Sequence, residues 1–179
     1  MKVLLHLCCG PCATYCYKTL KEEGHDVMGY FYNPNIHPLV EYRKRKESAY
    51  DFAEKVGLKL IGNSDYGLTE FVRNVAYREA NRCVLCYNMR LRQTAKLAKK
   101  GGFEAFTTTL LISPFQKHDQ IIEVGKALEA ETGVKFLYRD FRKGFKESVD
   151  LSKELSLYRQ QYCGCIYSEE ERYKNQKKV

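Results

Sequence analysis

A chain of 179 residues, 44% of them hydrophobic, can bury a core of its own, so its 8 cysteines are not needed as staples. No apolar run approaches the roughly 20 residues of a membrane span, and Met1-Lys2-Val3-Leu4-Leu5 leads straight into a strand pattern without a signal segment. The expectation is a cytoplasmic protein with no membrane partner, where clustered cysteines serve as metal ligands or redox groups; the net charge of +8 admits a polyanionic partner without requiring one.

In chain order, residues 2–7 (KVLLHL) read as a short apolar strand that runs into Cys8-Cys9-Gly10-Pro11-Cys12. A helix is expected over about 12–23, stopped by Gly24, then a strand over 26–32 and a turn-rich loop over 33–38 (NPNIHP). A long amphipathic helix over 39–56 closes at Gly57, and a strand follows over 58–61. Helices are expected over 71–80 and 87–100, the second stopped by Gly101-Gly102, with Cys83-x-x-Cys86 entering it. Next come a strand over 105–112, broken by Ser113-Pro114, a helix over about 119–131, and a strand over 135–138. A last helix over 148–160 precedes Cys163-Gly164-Cys165, and the polar tail after Glu171 is expected to fray.

Strands alternating with helices predict an α/β fold, a Rossmann-like three-layer αβα with a mostly parallel sheet. The chain reads as one domain over 1–179, with a Rossmann-like core over 1–140 and a C-terminal helical segment over 141–179 that carries the last cysteine pair. In such folds ligands bind beyond the C-terminal ends of the strands, where strand order reverses. That is where the first cysteine group, the 33–38 loop and the 113–119 stretch fall.

Three tight cysteine groups, far apart in sequence, are how soft sulfur ligands converge on one place. Cys9-Gly-Pro-Cys12 alone reads as a thioredoxin-type dithiol, since a helix start makes a thiol reactive, but such a reductase has no use for the other clustered cysteines. Cys83-x-x-Cys86 alone reads as half of a structural zinc site. Cys163-x-Cys165 is too tight for an easy grip on one zinc, and the adjacent Cys8 and Cys9 point the same way, so an iron–sulfur cluster is favoured over zinc. Cys16, one turn after Cys12, reads as a small buried hydrophobe.

An N-terminal strand ending in CCGPC, then NPNIHP with E-Y-R-x-R, C-x-x-C, TTLLISPFQKHD and a late QYCGC together resemble the epoxyqueuosine reductases of the QueH type, over roughly residues 3–167. The resemblance implies an oxidoreductase that reduces epoxyqueuosine to queuosine at the wobble position of tRNA. Its fold would be that shared with adenine-nucleotide-binding hydrolases and ligases. The phosphate-binding S-G-G-x-D-S loop of those relatives is replaced here by Cys8 to Cys12. The implied cofactors are a 4Fe-4S cluster and a second mononuclear metal, iron or zinc, with no cobalamin and no ATP. Four of Cys8, Cys9, Cys12, Cys83, Cys86, Cys163 and Cys165 would hold the cluster, with Cys83 and Cys86 among them. The other three would bind the second metal or present a thiol to the substrate.

The proton donors expected for the departing oxygen are Asp119, His118 and His37, although Asp119 also suits a helix N-cap. An anticodon stem-loop would be held through Arg43-Lys44-Arg45-Lys46, through Arg92, Lys96 and Lys99 on one helix face, and through Arg73, Arg78, Arg82 and Arg90 around the second cysteine group. The plainer reading of such runs is a solvated helix face. Tyr32, Asn33, Phe115 and Tyr158 lie nearest the expected site, where an extruded base would stack on an aromatic ring. An external electron donor is required. Two other readings stay open: a zinc-stabilised nucleic-acid-binding module without catalysis, and an electron carrier with a fully ligated cluster.

Overall fold

Five parallel strands lie in the order β3-β2-β1-β4-β5 in the computed structural model, which describes residues 1–62 and 65–175. Strand β1 (Lys2–Leu7) buries every side chain after Lys2, as a central strand covered on both faces must. It pairs with β2 (Asp26–Phe31) on one side and β4 (Ala105–Thr108) on the other. Strands β3 (Leu60–Gly62) and β5 (Lys135–Phe136) form the edges. Right-handed crossovers put α1 (Gly10–Glu22) and α2 (Leu39–Val56) on one face, with α4 (Arg82–Lys100) and α5 (His118–Thr132) on the other, the short α3 (Leu68–Val75) lying between β3 and α4. Helix α6 (Phe145–Glu154) packs on α1, so the Rossmann-like three-layer expectation holds. Strand order reverses between β1 and β4, and the segments that follow these two strands frame the crevice.

The boundaries that moved are those near the crevice. Helix α1 starts at Gly10, so Cys12 sits in its first turn and Cys9, extended at φ −171° and ψ 171°, is its N-cap. Helix α4 starts at Arg82 instead of 87, placing Cys83 and Cys86 three residues apart on one helical face. The helix expected over 71–80 ends at Val75, because Ala76 is extended and Tyr77 is left-handed at φ 61°. The strand expected over 105–112 stops at Thr108, whose hydroxyl accepts from the Leu110 amide and turns the chain into a 3-10 segment, Thr109–Ile112.

Helix α6 ends at Glu154, well short of 160, and Ser156 follows at φ 53°. That leaves 157–165 as an irregular strap running back to the crevice. An unanticipated helix α7 (Ile166–Tyr173) follows the last cysteines, so the chain stays helical just past Glu171; residues 176–179 lie outside the described residues. A small apolar cluster of Phe71, Val75, Cys86 and Cys165 joins α3, α4 and the start of α7 beside the main core.

Gly10 is required by packing. A Cβ there would lie 2.3 Å from the Ser48 carbonyl oxygen on α2, and backbone cannot swing aside as a side chain can. Gly10→Ala is expected to lower stability by about 1–3 kcal/mol through overpacking. An unchanged urea midpoint would mean that α1 and α2 separate freely.

Candidate metal centre

Cys8 directly follows β1, Cys9 caps α1 and Cys12 lies in its first turn; their three sulfurs all fall within 4.8 Å of one another. Cys8 Sγ and Cys9 Sγ are 3.7 Å apart. A tetrahedral ion with metal–sulfur bonds of about 2.3 Å has a sulfur–sulfur edge of about 3.8 Å, so the group fits a single metal. The adjacency that argued against a shared ion is no obstacle, because the chain bends from strand to helix between the two residues.

The surroundings of this group are polar and specific. Thr109 donates its hydroxyl to Cys8 Sγ at 3.3 Å and accepts from the Cys8 amide at 3.1 Å. Gln160, on the strap, donates its amide to Cys12 Sγ at 3.2 Å. Cys16 is fully buried in the main core, as a small hydrophobe would be.

Protonation is unequal within the trio. Hydrogen bonds from Cys12 and Cys9, with help from Arg90 and Thr109, hold the Cys8 thiol well below the usual range. Burial pushes the Cys9 thiol up, and the hydrogen bonds of Cys12 to Cys8 and Cys9 push Cys12 up. Within the metal-free trio the negative charge is therefore favoured on Cys8, and Cys9 and Cys12 hold their protons more firmly. Zinc binding near pH 7.5 is expected to release protons, chiefly those of Cys9 and Cys12, so affinity rises with pH. Calorimetry in two buffers of different ionisation enthalpy reads this directly; binding without proton release would contradict it.

The other four cysteines form a second, looser group. Cys83 and Cys86 lie in the first turns of α4, and Cys163 and Cys165 flank Gly164 on the strap. Cys86 and Cys165 share one apolar cluster. Burial raises the Cys83 thiol, partly offset by Lys117 and Arg82, and pushes the Cys86 thiol up to about 12. Cys163 and Cys165 act on both as like charges, which puts all four in one neighbourhood. The exposed Cys163 accepts from Gln116 Nε2 at 3.2 Å, and Gln116 is held by the Tyr87 hydroxyl at 2.7 Å. Among the described residues, no three of these four sulfurs converge within 4.8 Å, so the group is too wide for one ion.

Arg90 stands between the two groups. It is 2% exposed and donates to Cys86 Sγ at 3.7 Å and to Asn33 Oδ1 at 2.7 Å. Asn33 in turn donates to the Leu7 carbonyl at the end of β1. The guanidinium charge acts on Cys86, Cys8 and Cys163, and its Nε has no protein partner. Arg90 and Asn33, expected on a tRNA-facing surface, are both buried and engaged here instead.

Several other expected residues are also placed differently. Arg45 is 1% exposed and bonded internally, whereas Arg43 and Lys44 beside it are exposed. Tyr32 is buried with its ring stacked on Tyr30 at 6.0 Å, and Tyr158 donates its hydroxyl to Glu41 and has the Lys44 ammonium over its ring at 5.4 Å. His37 donates Nε2–H to the Pro34 carbonyl and lies against Tyr66 and Phe71; burial lowers its pKa to about 4, so at neutral pH the ring is uncharged and its one N–H is taken up by Pro34. Asp119 is exposed in the first turn of α5, where Lys117 holds the N-cap position, so the capping role is not its own.

His118 is buried and donates Nε2–H to the Ser113 carbonyl, leaving Nδ1 without a protein partner. Arg82 pairs with Glu171 and lies over the Tyr167 ring, and Arg92 pairs with Glu131. Arg78 is exposed, as is Phe115 at 85%, and Tyr77, not singled out in the sequence, is 99% exposed. The sequence reading also missed Thr109, Gln116 and Gln160. Thr109 and Gln116 stand inside the TTLLISPFQKHD stretch and Gln160 just before QYCGC, but nothing in their type marks them as thiol donors.

A family model described as epoxyqueuosine reductase QueH matches residues 3–171. The epoxyqueuosine reductase QueH of Dehalococcoides mccartyi is 45% identical over 172 residues, covering 96% of this chain and 94% of that one. That of Thermotoga maritima is 41% identical, covering 93% and 89%, and that of Streptococcus pyogenes is 37% identical, covering 93% and 69%. In three dimensions the chain resembles a protein of Methanocaldococcus jannaschii described as a predicted subunit of tRNA methyltransferase. The TM-score is 0.57 at 15% identity, over 86% of this chain and 76% of that one, a likeness of fold alone.

Proposed function

The chain belongs to the epoxyqueuosine reductase QueH family, and from that premise we propose that it reduces epoxyqueuosine to queuosine in tRNA. The reaction is an oxidoreduction: the epoxide takes two electrons and two protons, both carbon–oxygen bonds of the ring break, and an alkene and water form. The observation that carries this reading is the convergence of Cys8, Cys9 and Cys12 where strand order reverses, beside a buried guanidinium that acts on Cys8, Cys86 and Cys163.

The division into a tight trio and a loose quartet suggests two centres. Cys8, Cys9 and Cys12 would hold a mononuclear iron or zinc, and three ligands leave a fourth position open. Cys83, Cys86, Cys163 and Cys165, too spread for one ion, suit the larger body of a 4Fe-4S cluster. When bound, such groups supply a Lewis acid for the departing oxygen and electrons taken one at a time from an external donor.

The chain's own side chains do the rest. Arg90 offsets the negative charge of both thiolate groups, and Thr109, Gln116 and Gln160 fix sulfur orientations by hydrogen bonds. His118 and Asp119 follow the loop that carries Gln116 and are the candidate proton carriers; Asp119 is exposed. An anticodon stem-loop in the cytoplasm would meet the exposed Arg43, Lys44, Arg73 and Arg78, with Phe115 and Tyr77 free to stack on bases. The whole chain would work as one domain, its C-terminal segment supplying the last cysteine pair.

The test is a single anaerobic incubation of reconstituted protein with dithionite and tRNA carrying epoxyqueuosine, followed by nucleoside analysis. Queuosine, lighter by one oxygen, is the expected product. Unchanged epoxyqueuosine with a fully loaded protein would defeat the proposal.

A further inference from the structure

Arg45 belongs to a basic run, yet its guanidinium is spent entirely inside the protein. Nε donates to Glu41 Oε1 at 2.7 Å, one turn earlier on α2. The two terminal nitrogens donate at 2.8 Å each to the Cys163 and Tyr162 carbonyls on the strap, and the Tyr162 ring centroid lies 5.3 Å from the guanidinium carbon. Glu41 is itself held, its second oxygen accepting from the Tyr158 hydroxyl at 2.6 Å.

The strap is gripped from its other side as well. The His37 amide donates to the Gly164 carbonyl at 2.8 Å, and the Tyr162 hydroxyl donates to the His37 carbonyl. Gly164 sits at φ 148°, where a Cβ would come within 3.2 Å of an Arg45 nitrogen and 3.3 Å of Ile36. That backbone angle favours glycine, and a side chain would press on both neighbours.

A buried ion pair is a costly way to gain stability, since apolar packing of the same volume usually does as well. What Arg45 achieves that a hydrophobe would not is to fix two successive carbonyls beside two cysteines. We infer that Arg45, held by Glu41 and Tyr158, is the positioning residue for Cys163 and Cys165, aiming them at Cys83 and Cys86. This rests on the reading of those four thiols as one centre. It also removes Arg45 from the tRNA-binding set.

Three full-length variants test it: Arg45→Lys, Arg45→Gln and Tyr158→Phe, the last removing only the hydroxyl that steadies Glu41. In the metal-free chain, alkylation of each cysteine is followed by peptide mass spectrometry, a readout independent of whether the protein reduces epoxyqueuosine. Cys165 is expected to react about tenfold faster in Arg45→Lys and measurably faster in Tyr158→Phe. After anaerobic reconstitution, visible absorption per chain and kcat should fall, while KM for tRNA stays at its wild-type value. Wild-type alkylation and absorption in both Arg45→Lys and Tyr158→Phe would overturn the inference. So would a raised KM with full absorption, which would return Arg45 to phosphate binding. If the Arg45 variants fail to fold, Tyr158→Phe decides.

Discussion

Arg90→Gln is expected to lose both metal centres while keeping its fold. The guanidinium is buried, within hydrogen-bonding reach of Cys86 Sγ, and its charge acts on Cys8 and Cys163 as well. Loading either centre turns thiols into thiolates, and each added negative charge needs a nearby positive one in an interior that screens poorly. Removing one partner of a buried charge pair costs about 3–5 kcal/mol. Expressed as metal affinity, a loss of that size is at least about a hundredfold. Iron and sulfide retained after reconstitution should therefore drop sharply, and turnover with them. Arg90→Lys restores the charge but cannot keep the geometry of the Asn33 bond, so it should recover part of the metal and less of the activity. Wild-type iron content and turnover in Arg90→Gln would show that the guanidinium is a packing element only.

The second large effect separates the two centres. Cys86→Ala is expected to remove sulfide and most of the iron, together with the brown colour, because Cys86 belongs to the wide quartet. Cys8→Ala is expected to remove one metal and leave the visible band largely intact. Both should bring epoxyqueuosine reduction below detection, since the proposed reaction uses both centres. The informative outcome is the metal count beside the lost activity. Loss of the whole cluster in Cys8→Ala would place Cys8 among its ligands and redraw the division into three and four.

The layer order of the fold was readable because strand and helix periods alternate cleanly, with Gly24, Gly57, Gly101 and Gly133 each standing just past a helix. The site was readable as chemistry, through the cysteine spacings, but not as geometry. Spacing gave no sign that Cys8, Cys9 and Cys12 converge while the other four spread, because that depends on where the 157–165 strap crosses the crevice. Neither was the inward turn of Arg45 visible: its partners lie 117 and 118 residues away, on that strap. Arg90 reads as one more helix-face cation until α4 is seen packed against β1. His37 and Tyr32 were expected at the substrate because they lie at and past the C-terminal end of the second strand, whereas residues 32–37 are buried, His37 against Phe71 of α3 and bonded to Gly164 of the returning strap.

The measurement that bears most directly on the central claim is the iron, sulfide and zinc content of anaerobically purified protein, taken with its visible spectrum. Two centres on seven thiols predict about four iron and four sulfide per chain, a broad brown band, and about one further iron or zinc. Zinc without sulfide, persisting after anaerobic reconstitution, would contradict the redox account and leave a zinc-stabilised nucleic-acid-binding module in its place.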